Sequence, residues 1–198
     1  MTRLSIRAQQ KEEKKQSLLS AAFSLFTQKG VSKTSVDEIA RQANVAKGTF
    51  YLYFQDKTQL LQELVLRIST RVLDEAYRYV QQHDTGSFTE NVILLMDYVI
   101  EYFKRNKLCL RLIERNFSWP MVAQQLTART DPLWMALCHD LETSPLAHQR
   151  QPEDVFKLIF VITEMCGATC YSSIIEGKPD TIDNMKPILY EIVRKALT

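Results

Sequence analysis

The stretch "TSVDEIARQANVAKGTFYLYFQDK", residues 34–57, decides the fold. Ser35, with Glu38 three positions later, has the form of a capping box, which starts a helix by satisfying amides that have no partner inside it. Val36, Ile39, Ala40 and Ala43 give that short helix an apolar side. Asn44 suits the left-handed turn position behind it, and a further helix begins near Ala46 or Lys47. Two short helices joined by roughly three or four residues make a helix-turn-helix.

In the second of these helices, an advance of about 100° per residue puts Phe50 and Phe54 on one side. Both are expected in a small core. Gly48 and Leu52 then fall nearly opposite, with Thr49, Tyr51 and Tyr53 on the flanks. Such an outward face is not an ordinary solvated one. Gly48 costs about 1 kcal/mol of helix stability relative to alanine, and its missing side chain lets the backbone approach a partner closely. The major groove of DNA fits this face, since it admits a helix, offers thymine methyls to apolar groups and is rimmed by phosphates. Lys47 is expected at a guanine edge, and Thr49, Tyr51 and Leu52 at bases or sugars. Tyr53 and Lys57 suit phosphate, while Lys33, Thr34 and Ser35 are placed to grip phosphate across the groove. A helical adaptor that binds protein through Tyr51, Leu52 and Tyr53 is the competing reading. Salt separates the two, because each neutralised phosphate releases counterions.

Periodicity is helical on both sides of this motif, and no segment alternates as strands do. A first helix spans about residues 11–29, with Leu18, Ala22, Leu25 and Phe26 on one stripe and Gly30 as its stop. Asp56 is expected to cap a long helix ending near "HDTGS". Ser87 and Glu90 resemble a second capping box, for a helix to about Arg105, and a short helix follows over 108–115. "NFSWPMV" breaks the pattern. A helix over 121–142 is expected to bend at Asp131-Pro132, because proline lacks an amide hydrogen. "TSPLAHQRQP" reads as a loop, and two last helices cover about 152–176 and 181–197. The expectation is an all-α chain of about nine helices.

Residues 1–60 hold ten Lys/Arg against five Asp/Glu, whereas the remaining 138 residues hold fifteen against eighteen. A basic third joined to a mildly acidic remainder suits a polyanion-binding module attached to something else, although a solvated helix surface gives the same balance. The N-terminus has no apolar run that would serve as a signal-peptide core, and the apolar stretches "NVILLMDYVIEYF" and "VFKLIFVITEMCGATC" are short of a membrane span and interrupted by charge. A cytoplasmic location is expected, with Cys109, Cys138, Cys166 and Cys170 as reduced, buried thiols. Gly-x-Ser-x-Gly, His-Glu-x-x-His and phosphate-binding glycine loops are absent, so no catalytic residue, cofactor or metal site is assigned.

The sequence "TSVDEIARQANVAKGTFYLYFQDKTQLL", preceded by "AFSLFTQKG", resembles the DNA-binding domain of the TetR family of bacterial transcriptional regulators. The resemblance covers about residues 11–71, with the helix-turn-helix at 34–53; residues 72–198 resemble the family only in helical layout. Ala46 departs from it, standing where many members have a serine cap. The resemblance implies an all-helical homodimer whose paired N-terminal domains bind a palindromic operator, in most members a repressor released by a small molecule. It also implies a C-terminal ligand-binding and dimerisation domain over 72–198.

Two-fold DNA recognition needs a self-complementary interface. Gly167, Ala168 and Ser172, with Ile188, Leu189, Ile192 and Val193, are the expected dimer residues, with intrachain packing as the plain alternative. Tyr98, Tyr102, Phe103, Phe117, Trp119, Trp134 and Met135 are expected to line an effector cavity, although ordinary core packing also accounts for them. Glu164, inside an apolar run, suits a buried partner for a cationic ligand, although pairing with a lysine or arginine across an interface is the commoner role. Cys166 and Cys170, four apart on one helical face, raise thiol sensing as a further alternative.

Overall fold

The computed structural model describes residues 3–114 and 129–198. Ten α-helices and one π turn make up the described secondary structure, and the chain divides into two compact units between Arg67 and Ile68.

The first unit begins with α1 (Arg3–Lys29), which starts eight residues earlier than the apolar stripe suggests. It stops at Gly30, whose φ of 87° closes a bond from its N–H to the Phe26 carbonyl at 3.0 Å. Next come α2 (Val36–Gln42) and α3 (Lys47–Tyr51), followed by the first turns of α4 (Lys57–Gln82). Ser35 and Glu38 form the full capping box, and Asn44 takes the left-handed turn with φ 55°. Asp56 accepts from the Gln59 N–H at 2.8 Å and so begins α4. Leu18, Leu19, Ala22, Phe26, Ile39, Phe50, Phe54, Leu60 and Leu64 are all buried, and this small core fixes the angle between α2 and α3. Between α1 and α4, Lys15 pairs with Glu63 at 2.9 Å, while Arg67 reaches Glu63, Gln16 and Glu12.

In the second unit the rest of α4 is followed by α5 (Phe88–Arg105) and α6 (Lys107–Glu114). Beyond residue 128 come α7 (Pro132–Glu142), α8 (Pro145–Gln149), α9 (Pro152–Tyr171) with its π turn (Ser172–Glu176), and α10 (Ile182–Leu197). Ile93, Met96, Ile100, Leu110, Ile162, Cys166, Cys170, Leu189 and Val193 share one core. Lys186 of α10 binds Asp97 at 2.6 Å and also Glu101, and Tyr190 donates to Asp97, so α10 is fastened to α5. Burial works against the Lys186 charge, but those two carboxylates outweigh it and hold its pKa above the ordinary lysine value.

Four expectations about this unit change. Pro132 does not bend a helix; it occupies the first turn of α7, where its missing N–H removes nothing, and Asp131 caps that helix through the Trp134 N–H at 3.1 Å. The expected segment 121–128 and the break over 116–122 lie outside the described residues. Within "TSPLAHQRQP", Ser144 caps and Pro145 opens a short helix in place of a plain loop. Only half of the Ser87/Glu90 box forms: Ser87 accepts the Glu90 N–H, but the Glu90 carboxylate pairs with Arg194 at 2.7 and 2.9 Å. Finally, the helical run Pro152–Glu176 is long and apolar enough to cross a membrane by length and composition, contrary to the sequence expectation, yet only 28% of its apolar window is buried.

Candidate nucleic-acid interface

The local sequence sorts α3 into two sides. Phe50 is fully buried and Phe54 nearly so, their rings 5.7 Å apart, and the N–H groups of Tyr53 and Phe54 both donate to the Phe50 carbonyl at 3.0 Å. The regular helix therefore ends at Tyr51, with Leu52 as its C-cap, and Leu52 and Tyr53 lie on the tightened turn that follows. Tyr51 is 52% exposed and Leu52 77%, although the Tyr51 ring keeps one edge on Phe50 at 5.3 Å. Thr49 and Tyr53 are half-buried, while Lys47 and Gly48 are exposed. A Cβ added at Gly48 meets nothing within 4 Å, so the backbone there is open to a partner. Ala46 contributes no side-chain cap, as its substitution for serine implies.

The flanking residues divide differently from the sequence expectation. Lys33 and Ser35 are exposed, but Thr34 is buried, and its hydroxyl donates to the Gly30 carbonyl at 2.9 Å. Thr34 thus closes the turn after α1 and does not grip phosphate. The Ser35 hydroxyl lies 2.9 Å from Glu38 and accepts the Glu38 N–H, so its first role is capping. Lys57 donates to the carbonyls of Val31 at 2.6 Å and Thr34 at 2.7 Å. Two of its three N–H groups are thereby committed to bracing that turn, and a purely phosphate-binding role is corrected accordingly. Glu38 is held down to about 2 by Lys29, then by the N–H and hydroxyl of Ser35, so the box is charged throughout the neutral range.

Sequence reasoning missed Asp37. Its carboxylate lies 2.9 and 3.1 Å from the Lys47 ammonium, across the turn between α2 and α3. Opposite charges ten positions apart are no helical signal; only the turn geometry pairs them. Asp37, Arg41, Asn44 and Lys47 border an open depression of about 480 Å³ beside α3.

In the second unit the expected effector residues that are described fall in more than one set of contacts. Tyr98 packs its ring on Tyr79 at 5.3 Å, and Tyr102 accepts a hydrogen bond from Arg71 at 2.8 Å, both along the seam of α4 and α5. Phe103 packs against the core. Trp134 belongs to another cluster, beneath the Arg129 guanidinium at 5.5 Å, where Arg129 also reaches Asp74 and Asp131. Met135 is largely exposed, and Phe117 and Trp119 lie outside the described residues. Glu164 is exposed, so it is no buried partner for a cation. Of the expected dimer residues, Gly167, Ala168, Ile188 and Ile192 are exposed and Ser172 is half-buried. Leu189 and Val193 are not available, because they sit in the core of the same chain. Val161 adds to the outward face of α9. Cys166 and Cys170 are buried neighbours; their mutual hydrogen bond and then burial push the Cys170 thiol up, away from the reactive thiolate. Among the described residues no three metal-ligating side chains gather.

Comparison with known proteins adds three findings. Residues 18–64 match the family described as bacterial regulatory proteins, tetR family. Over 104 residues the chain is 30% identical to the HTH-type transcriptional regulator YhgD of Bacillus subtilis, covering 52% of this chain and 53% of that protein. Over 114 residues it is 31% identical to a protein of Escherichia coli K12 named probable acrEF/envCD operon repressor, covering 56% and 52%. The chain thus spans about half the length of these curated relatives. The fold extends further: the Bacillus subtilis transcriptional regulator FadR, solved with stearoyl-CoA, superposes with a TM-score of 0.64 over 92% of this chain and 99% of that one, at 16% identity.

Proposed function

We propose that this chain, whose residues 18–64 match the tetR family of bacterial regulatory proteins, is a transcriptional regulator of that family: a cytoplasmic repressor that binds a palindromic operator as a homodimer. One observation carries the reading: Tyr51 and Leu52 stand exposed beside Lys47 and Gly48, while Phe50 pins the same helix into the core. A side chain that serves only the fold has no reason to be held outward on so short a helix. Tyr51, Leu52, Thr49 and Lys47 read or approach the bases, and Lys33, Ser35 and Tyr53 hold phosphate, as the chemistry of groove and backbone requires.

The partner needed for a palindrome is a second copy, docked on the outward side of α9 and α10. Val161, Gly167, Ala168, Ile188 and Ile192 are exposed there, and the two small residues let another helix approach. The same face explains why a helix apolar enough for a membrane is mostly outside the core. Release by a small molecule in the second unit completes the proposal, supported by the fold shared with the FadR structure that holds stearoyl-CoA; the identity of the effector here is independent of that ligand.

The reading is tested by mixing the protein with a pool of random duplex DNA and sequencing what it retains. An inverted repeat retained as a complex of two chains, with affinity falling steeply as salt rises, is the expected result. Retention no better than that of the starting pool refutes it.

A further inference from the structure

In the unbound protein the Lys47 ammonium is already occupied. Asp37 of α2 presents both carboxylate oxygens to it, at 2.9 and 3.1 Å, although the two side chains remain 64% and 55% exposed. An exposed pair of this kind adds little to stability. Its consequence lies in where it stands: α2 supplies the carboxylate, α3 supplies the lysine, and Arg41 and Asn44 border the same open depression. The hydrogen bond from Lys47 to Asp37, then the carboxylate's charge, raises the lysine's pKa, so the lysine keeps its charge at neutral pH. Asp37 also follows the N-cap Ser35 by two positions, where the helix dipole favours a negative charge.

An unpaired lysine on a groove-facing helix is drawn equally to every phosphate, a contribution blind to sequence. A lysine held by a carboxylate behaves otherwise. Contact with a phosphate at random register gives up the Asp37 hydrogen bonds and brings that carboxylate toward the negative backbone. Docking in register lets the same pair work together, Lys47 donating to guanine O6 or N7 and Asp37 accepting from a cytosine N4 amine. We infer that Asp37 is a positioning and specificity-determining residue, which holds Lys47 for base reading and weakens binding to DNA of unrelated sequence. This rests on the DNA-binding reading above.

The test compares wild type, Asp37→Asn, Asp37→Ser, Asp37→Glu, Lys47→Ala and the Asp37→Asn/Lys47→Ala pair. Each is titrated, over a series of KCl concentrations, against the duplex that wild type enriches from a random pool and against a scrambled duplex of equal composition. Both neutral variants are expected to bind the scrambled duplex more tightly, on the order of threefold, with little gain on the enriched one. Their salt dependence on the scrambled duplex should steepen by about 0.9 in logarithmic slope. Asp37→Glu should restore wild-type discrimination, and in the Lys47→Ala background the Asp37 effect should shrink to what the carboxylate does without the lysine. Discrimination unchanged in both neutral variants overturns the inference while leaving DNA binding intact. So does an equal change in the Lys47→Ala background, because the carboxylate would then act only as bulk charge. If wild type enriches no sequence, the DNA-binding reading falls and this inference with it.

Discussion

The exposed apolar side chains of α3 and those of α9 and α10 differ in what accompanies them. On α3, Leu52 stands with Tyr51, Lys47 and the bare backbone of Gly48, a mixture of cation, hydroxyl and methyl groups. On α9 and α10, Val161, Ile188 and Ile192 stand with Gly167 and Ala168, and the charge nearby comes from Glu164 and from the exposed, mutually paired Glu191 and Lys195. The first mixture matches a charged groove edged with hydrogen-bonding bases. The second matches a helix surface like itself, since close approach and burial of methyl groups are its main resources. Exposure alone therefore says that something docks; the polar company of the exposed groups says what.

The comparison breaks most sharply within α3. Phe50→Ala should destabilise the first unit by about 3–5 kcal/mol, as for other buried aromatic truncations, whereas Tyr51→Ala should leave its thermal midpoint within a few degrees. The same Tyr51→Ala should lower affinity for the enriched duplex on the order of 100-fold. An early-melting Tyr51→Ala protein would mean that the ring is core and not reader. On the other surface, Val161→Glu with Ile188→Glu should shift self-association at least about 30-fold toward monomer, as expected for central interface positions, seen by sedimentation. Loss of DNA binding without any change in association would place the two surfaces in one function and end the distinction.

Smaller effects sharpen the account of the first unit. Lys57→Met removes two charge-assisted bonds and leaves the carbonyls of Val31 and Thr34 without that donor, for a loss of about 1.5–3 kcal/mol in denaturant unfolding. A variant as stable as wild type but weaker on DNA would return Lys57 to a phosphate role. Glu38 sits at about 2 in the folded protein against an ordinary 4.5. Its contribution is thus present above pH 4.5 and is lost as pH falls toward 2. Glu38→Gln should flatten that part of the acid-unfolding profile, and an unchanged profile would show that the box does not matter there.

Local signals made much of this legible. The Ser35/Glu38 box, the left-handed Asn44 and the four-residue spacing of Phe50 and Phe54 each depend on neighbours in sequence, and each stands as expected. The Asp131-Pro132 and Ser144-Pro145 pairs are also local signals, of helix starts, although the residues around them suggest a kink in the first case and a loop in the second. Other features were beyond any local pattern. Thr34 and Lys57 turn inward because the turn after α1 lies against the start of α4, twenty-three positions away for the Lys57 bond to Thr34. Leu189 and Val193 differ from Ile188 and Ile192 only in which side of α10 meets α5 and α9, and both pairs are equally apolar in sequence.

The central claim is that the outward side of α3 reads DNA. Fluorescence anisotropy of wild type against the enriched duplex and its scrambled counterpart, at a series of salt concentrations, tests it most directly when repeated with Tyr51→Ala. The account predicts a wild-type preference on the order of 1,000-fold, a steep loss of affinity with salt for both duplexes, and a preference reduced to roughly tenfold in the variant. Equal affinity of wild type for the two duplexes, or a preference that survives undiminished in a folded Tyr51→Ala protein, would contradict it.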